Sequence, residues 1–122
     1  MRALCWIFVG CLFAALLFGA GSAEATSTQV SMTNTQFAPR EIAIRPGDAV
    51  TWTNPHRGIP HTVTADDGSF DSSPGCRGSG AGCMAAGSSF SHAFGQAGRF
   101  PYYCKLHGGT GGQGMAGVVV VQ

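Results

Sequence analysis

Cys104, His107 and Met115 fall within twelve residues, and the chain then runs into the apolar stretch Val118 to Val121. The segment reads Tyr102-Tyr103-Cys104-Lys105-Leu106-His107, then a glycine-rich turn, then Met115-Ala116-Gly117-Val118. A thiolate, an imidazole and a thioether held between two strands suit copper cycling between Cu(I) and Cu(II). Thiolate and thioether are the soft donors that Cu(I) prefers, and imidazole serves both oxidation states. A trigonal site needs one more nitrogen, which His61 offers at the head of the strand-like run His61-Thr62-Val63. Two His, one Cys and a weak axial Met make the ligand set of electron-transfer copper.

Taken singly, each of these residues has a plainer reading. Cys104 beside Tyr103 reads as a buried core residue, Met115 as core filling ahead of a strand, and His61 as a surface or capping histidine. Gln113 is a rival axial donor through its amide oxygen. What favours the metal is the order His…Cys-x2-His-x7-Met with strands on both sides. His56 follows Asn54-Pro55 and reads as an exposed turn residue. His92 is in step with Phe90 and Phe94 and reads as a half-buried strand residue. Neither is assigned to the copper, and Trp52 is taken as a core anchor.

Further segments join this constellation: Phe37-Ala38-Pro39, Ile44-Arg45-Pro46-Gly47-Asp48, Val50-Thr51-Trp52-Thr53-Asn54 and Pro60-His61-Thr62-Val63. With Gly98 to His107 and Met115 to Val118, they make the chain resemble a cupredoxin of the plastocyanin, amicyanin and halocyanin type. These are small blue copper proteins, and the resemblance runs from Thr28 to Gln122. It implies one type 1 copper ion bound by His61, Cys104, His107 and Met115. It also implies that the backbone N–H of Thr62 donates to the Cys104 sulfur, which would lower the charge on sulfur and tune the potential. Two departures stand out. Seven residues separate His107 from Met115, more than in plastocyanin, and Gly108 follows His107 where the family often has Pro.

The N-terminus reads as a targeting segment. Arg2 supplies the positive charge, Leu4 to Ala20 is apolar, and Gly21-Ser22-Ala23 offers small residues for cleavage, with Ala23-Glu24-Ala25 as the alternative. Residues 1–23 are therefore expected to be a signal peptide and 24–122 one copper-binding domain, exported to a bacterial periplasm. No membrane span is expected after cleavage. Of the seven Lys and Arg, Arg2 leaves with this segment, so six cations face six Asp and Glu. Such a balance gives no basic run for nucleic acid and no acidic run for a basic partner.

Cys5 and Cys11 leave as well, so Cys76, Cys83 and Cys104 remain, an odd count for an oxidising compartment. The natural partition is a Cys76–Cys83 disulfide, contributing about 2.5 kcal/mol by loop closure, with Cys104 reserved for metal. The alternative is a second metal site at Cys76 and Cys83, although no His flanks them and their spacing is not that of a zinc ribbon.

The elements that must position these residues are strands. Val30 and Met32, Ile42 and Ile44, and Val50 and Trp52 each alternate with neighbours of the opposite face, and Pro46-Gly47 marks a turn. His61 to Thr64, Phe90 to Phe94, Phe100 to Tyr103 and Val118 to Val121 read as further strands. Ser72 to Gly87, rich in Gly and Ser, reads as a long excursion stapled by the disulfide. Short strands separated by turns predict an all-β, two-sheet Greek-key sandwich.

The function expected from this is a monomeric carrier of single electrons between larger redox proteins, not itself an enzyme. Donor and acceptor would dock transiently near His107 and Leu106. The alternative is a copper-binding or delivery protein without a fast redox role. The thiolate argues against that alternative, because Met32 and Met84 form no Met/His cluster with which to carry copper.

Overall fold

A computed structural model describes residues 19–55, 57 and 59–122. Most of the expected signal peptide, with Cys5 and Cys11, and also His56 lie outside the described residues. Among the described residues eight strands follow one another: β1 (Ser27–Thr33), β2 (Gln36–Ala38), β3 (Glu41–Ile44), β4 (Ala49–Thr53), β5 (Thr64–Ala65), β6 (Ser89–Ala93), β7 (Gly98–Gly109) and β8 (Gln113–Val121). They form two four-stranded sheets, β2-β1-β4-β6 and β3-β8-β7-β5. The chain changes sheet between β2 and β3, β3 and β4, β4 and β5, β5 and β6, and β6 and β7, so the two layers are laced together along their length. Among the described residues no helix is long and apolar enough to cross a membrane.

The period-two pattern decides which face is inside. Val30 and Met32 of β1, Ile42 and Ile44 of β3, and Val50 and Trp52 of β4 are all buried, while their neighbours in sequence are more exposed. Asp48 fastens the turn between β3 and β4. Its carboxylate accepts from the backbone N–H groups of Thr26 and Arg45, both at 3.0 Å. These bonds, that from Thr26 foremost, hold its carboxyl below the usual aspartate range. The anchoring is complete above the ordinary aspartate value and is lost as pH falls through the lowered folded one.

Two expectations about strand limits change. The last inner strand runs on past Tyr103 to Gly109, so Cys104 and His107 sit in β7 and Met115 in β8; the three occupy a β-hairpin rather than a free loop. Conversely His61 to Thr64 is not one strand: β5 starts at Thr64, and His61 makes only an isolated bridge to Met84. The physical reason is that Thr62 and Val63 direct their N–H groups at side-chain acceptors, the Cys104 sulfur and the Ser72 hydroxyl, rather than at a neighbouring strand.

Trp52, fully buried, is the centre of the core. It meets Tyr102 of the facing sheet edge-on at 5.3 Å between ring centroids and stacks on Phe70 at 5.8 Å. Burial pushes the Tyr102 phenol up to about 12, so it stays neutral in all ordinary conditions. The Tyr102 side chain lies across Gly117, its partner in β8. A Cβ added at Gly117 would sit 2.5 Å from the Tyr102 hydroxyl oxygen and 2.8 Å from the Arg40 carbonyl. Gly117→Ala should therefore overpack the core and cost about 1–3 kcal/mol, read as a lower urea midpoint at unchanged slope. A midpoint equal to that of the wild type would show that the Tyr102 ring moves freely.

Candidate metal centre

The hairpin of β7 and β8 builds one side of the site. Cys104 shares the inner face of β7 with Tyr102, two residues before it, and is fully buried. The register then shifts between Tyr103 and Gly108, and beyond this bulge Gly108 pairs with Gly114 and Gly109 with Gln113. The bulge re-aims the strand after Cys104, leaving His107 partly exposed. Two glycines permit the narrow closing end. A Cβ at Gly108 would lie 2.4 Å from the Met115 carbonyl oxygen, and one at Gly114, whose φ is +60°, would lie 2.5 Å from the His107 carbonyl. The tip is tied down by Arg40, which donates to the Gly112 carbonyl at 3.1 Å, and by Asp66, which accepts from the Gly111 N–H at 2.9 Å.

His61 comes from the other side and is fully buried. Its backbone exchanges two hydrogen bonds with Met84, at 3.1 and 2.9 Å. The Asn54 side chain, also fully buried, donates to the carbonyls of Ile59 and Met84 at 2.9 and 3.1 Å, which fixes the chain leading into His61. Met84 directly follows Cys83, which is disulfide-bonded to Cys76. The excursion from Ser72 to Gly87 therefore lies against the metal end of the sandwich, a placement that spacing alone leaves open.

The donor atoms converge. Nδ1 of His61 lies 3.8 Å from the Cys104 sulfur, Nδ1 of His107 lies 3.6 Å from it, and all three donors fall within 4.8 Å of one another. Metal bonds of about 2.3 Å to sulfur and about 2.0–2.1 Å to imidazole nitrogen, at angles of about 110–120°, put sulfur and nitrogen roughly 3.5–3.8 Å apart around a shared ion. The observed separations meet that demand, so the three side chains fit a metal as they stand. The Thr62 N–H donates to the Cys104 sulfur at 3.4 Å, the bond that the resemblance implies. Met115 is buried in the same core cluster as Cys104. Gln113, the rival axial donor, is exposed near the hairpin tip. His92 stands apart, packed on Phe70 at 4.7 Å and on Phe94 at 4.8 Å, where burial holds its imidazole below the usual histidine range.

Sequence reading missed the residues that brace this set. Asp71 and the Ser73 carbonyl hold the Lys105 ammonium, Thr64 donates to Asp71, and Met84 carries the His61 backbone. Asn54 had a signal, the Asn-Pro pair that closes a strand. Asp71 had none, since a lone aspartate before a Ser-rich loop reads as turn chemistry.

Comparison with known proteins agrees with this geometry. The family described as copper binding proteins, plastocyanin/azurin family, matches residues 24–122. Amicyanin-alpha of Methylorubrum extorquens is 34% identical over 112 residues, covering 91% of this chain and 85% of that protein. The chloroplastic plastocyanin of Tetradesmus obliquus is 37% identical over 93 residues, covering 70% of this chain; the chain spans 58% of the length of that relative. A purple cupredoxin from Nitrosopumilus maritimus shares the fold with a TM-score of 0.60 at 23% identity, covering 78% of this chain and 99% of that one.

The hairpin geometry makes Gly108 and Gly109 unequal. Gly108→Ala should push Met115 away from His107 and weaken copper retention about 10–100-fold, measured by competition with a chelator. At Gly109 a Cβ would meet only the Gln113 Cβ, at 4.0 Å. Gly109→Ala should leave retention unchanged, and equal losses from both variants would refute the close-approach argument.

Proposed function

The chain belongs to the plastocyanin/azurin family of copper-binding proteins, its cofactor is copper, and from that premise we propose that it carries single electrons between larger redox proteins in an oxidising compartment. It is a blue copper protein of the electron-carrier kind. The observation that carries the proposal is the convergence of the His61, Cys104 and His107 donor atoms within 4.8 Å. Copper bound there supplies a one-electron couple between Cu(I) and Cu(II).

The residues have separate roles in this reading. Cys104 binds as thiolate, and the Thr62 N–H withdraws charge from its sulfur. Copper would be held through Nδ1 of His61 and His107 as neutral imidazoles, with the Met115 thioether as a further, weaker soft donor. His61 is held through Met84 and the other three by one hairpin, so the donor set changes little between oxidation states. The compartment is inferred from the apolar segment after Arg2, the small residues up to Ala23, and the Cys76–Cys83 disulfide, which together fit export to a periplasm. No enzymatic step is assigned, because the proposed role uses only the metal couple.

Docking near His107 follows from the surface around it. Leu106 is partly buried against the core, and Lys105 turns its ammonium inward to Asp71. The face therefore offers an apolar patch with little charge, suited to a partner that must leave quickly.

Two measurements test this reading. Adding Cu(II) to the purified protein should give an intense visible thiolate-to-copper band that bleaches on reduction, and Cys104→Ala should abolish it. A variant that stays blue would sink the assignment. Electron self-exchange between two copies, followed by NMR line broadening, should depend little on salt and should slow at least roughly tenfold in Leu106→Asp. Self-exchange that ignores Leu106→Asp would place the docking face elsewhere.

A further inference from the structure

Lys105 lies between the proposed ligands Cys104 and His107, and it begins and ends a ring of hydrogen bonds. Its backbone N lies 2.9 Å from the Thr62 hydroxyl. That hydroxyl lies 3.0 Å from the Thr64 hydroxyl, and Thr64 lies 3.2 Å from Asp71 Oδ1. The other carboxylate oxygen of Asp71 binds the Lys105 ammonium, which also donates to the Ser73 carbonyl at 2.9 Å.

The direction of every proton in this ring is determined. An ionised carboxylate only accepts, so the Thr64 hydroxyl donates to Asp71. With its hydrogen committed, Thr64 accepts from Thr62. Thr62 in turn accepts from the Lys105 N–H. All the dipoles thus run one way toward the Asp71 charge, and each strengthens the next. Thr62 is also the residue whose N–H meets the Cys104 sulfur. Thr62 and Thr64 are buried, and the Lys105 and Asp71 side chains are only 26% and 24% exposed, so solvent screens the pair weakly.

We propose that Asp71 and Lys105 are positioning residues for the metal centre: Asp71 ends a one-way hydrogen-bond chain that fixes Thr62 against the Cys104 sulfur, and its charge offsets the Lys105 cation beside the thiolate. The proposal rests on the ligand assignment above for its effect on copper, but the ring itself is a property of the metal-free chain. Its electrostatic consequence has a sign. A nearby cation disfavours the more positive Cu(II) state, and a nearby anion favours it. Removing one partner therefore exposes the field of the other.

The test is a set of midpoint potentials on copper-loaded protein. Asp71→Asn should raise the potential, Lys105→Met should lower it, and the double variant should fall between the two. Lys105→Arg, which keeps the pair, should stay near the wild type. Single variants that shift the potential in the same direction, or not at all, overturn the charge-offset role. The positioning role is read without metal, by amide hydrogen exchange. In metal-free Asp71→Asn the amides of Thr62 and Lys105 should exchange at least threefold faster, with Val119 unchanged. Should Asp71→Asn not fold, Thr64→Val breaks the chain while keeping both charges and should have the same effect. Unchanged exchange at Thr62 and Lys105 in whichever variant folds overturns the positioning role. A wild-type protein that takes up Cu(II) without a thiolate band would defeat the ligand assignment instead, and the exchange result would stand apart from it.

Discussion

The close approach of two backbones at Gly108 and Gly114 is the constraint on which the metal end of the molecule depends. Side chains at those positions would collide with the carbonyl oxygens of Met115 and His107, so only a glycine pair closes the hairpin this tightly. The same ladder, followed inward, pairs Tyr102 with Gly117 and Gly98 with Val121. Tyr102 in turn meets Trp52 across the sandwich. One continuous antiparallel pair therefore builds the core and delivers Cys104, His107 and Met115 in fixed register. A slip of one residue would send the Cys104 side chain to the outer face, and the packing of Tyr102 across Gly117 is what resists such a slip.

His61 lies outside that ladder, and a different device holds its backbone. Its backbone is bridged to Met84, Met84 accepts from Asn54, and Cys83 beside it is bonded to Cys76. The Ser72–Gly87 excursion is rich in Gly and Ser, so it has few side chains with which to pack itself down. Cross-linking reduces the freedom of such a segment in the unfolded chain, and the backbone bridge passes the resulting order to His61. The disulfide is distant from the metal in bonds but next to it in consequence.

The chemistry of the donor set was readable before any coordinates. Cys104, His107 and Met115 announce themselves by type and spacing, and alternation along Val30 to Met32 and Val50 to Trp52 reports the buried faces correctly. What stayed hidden has two physical causes. Strand limits near the site were misjudged because Thr62 and Val63 bond side chains rather than a ladder, and because a bulge carries β7 past Tyr103. Periodicity reports neither event. The bracing residues were missed because their partners are remote in sequence: Asp71 lies 34 positions from Lys105. Nothing local at Asp71 distinguishes it from an aspartate in an ordinary turn.

Lys105 shows how position in the fold adds to a reading by residue type. On sequence alone it is the one formal charge near Leu106 and His107, and a single charge already predicts a weakly charged face with little steering. In the structure its ammonium is tied to Asp71 and the Ser73 carbonyl, and its side chain is mostly buried. An exposed lysine there would attract acidic surfaces and make association salt-dependent. An unpaired buried one would leave an uncompensated charge near the thiolate, which is costly in a poorly solvated site. Pairing with Asp71 avoids both outcomes. In the proposed reading it leaves the face near His107 apolar for contact while holding the Cys104 segment through the Asp71 pair, so one side chain would serve both docking and ligand geometry.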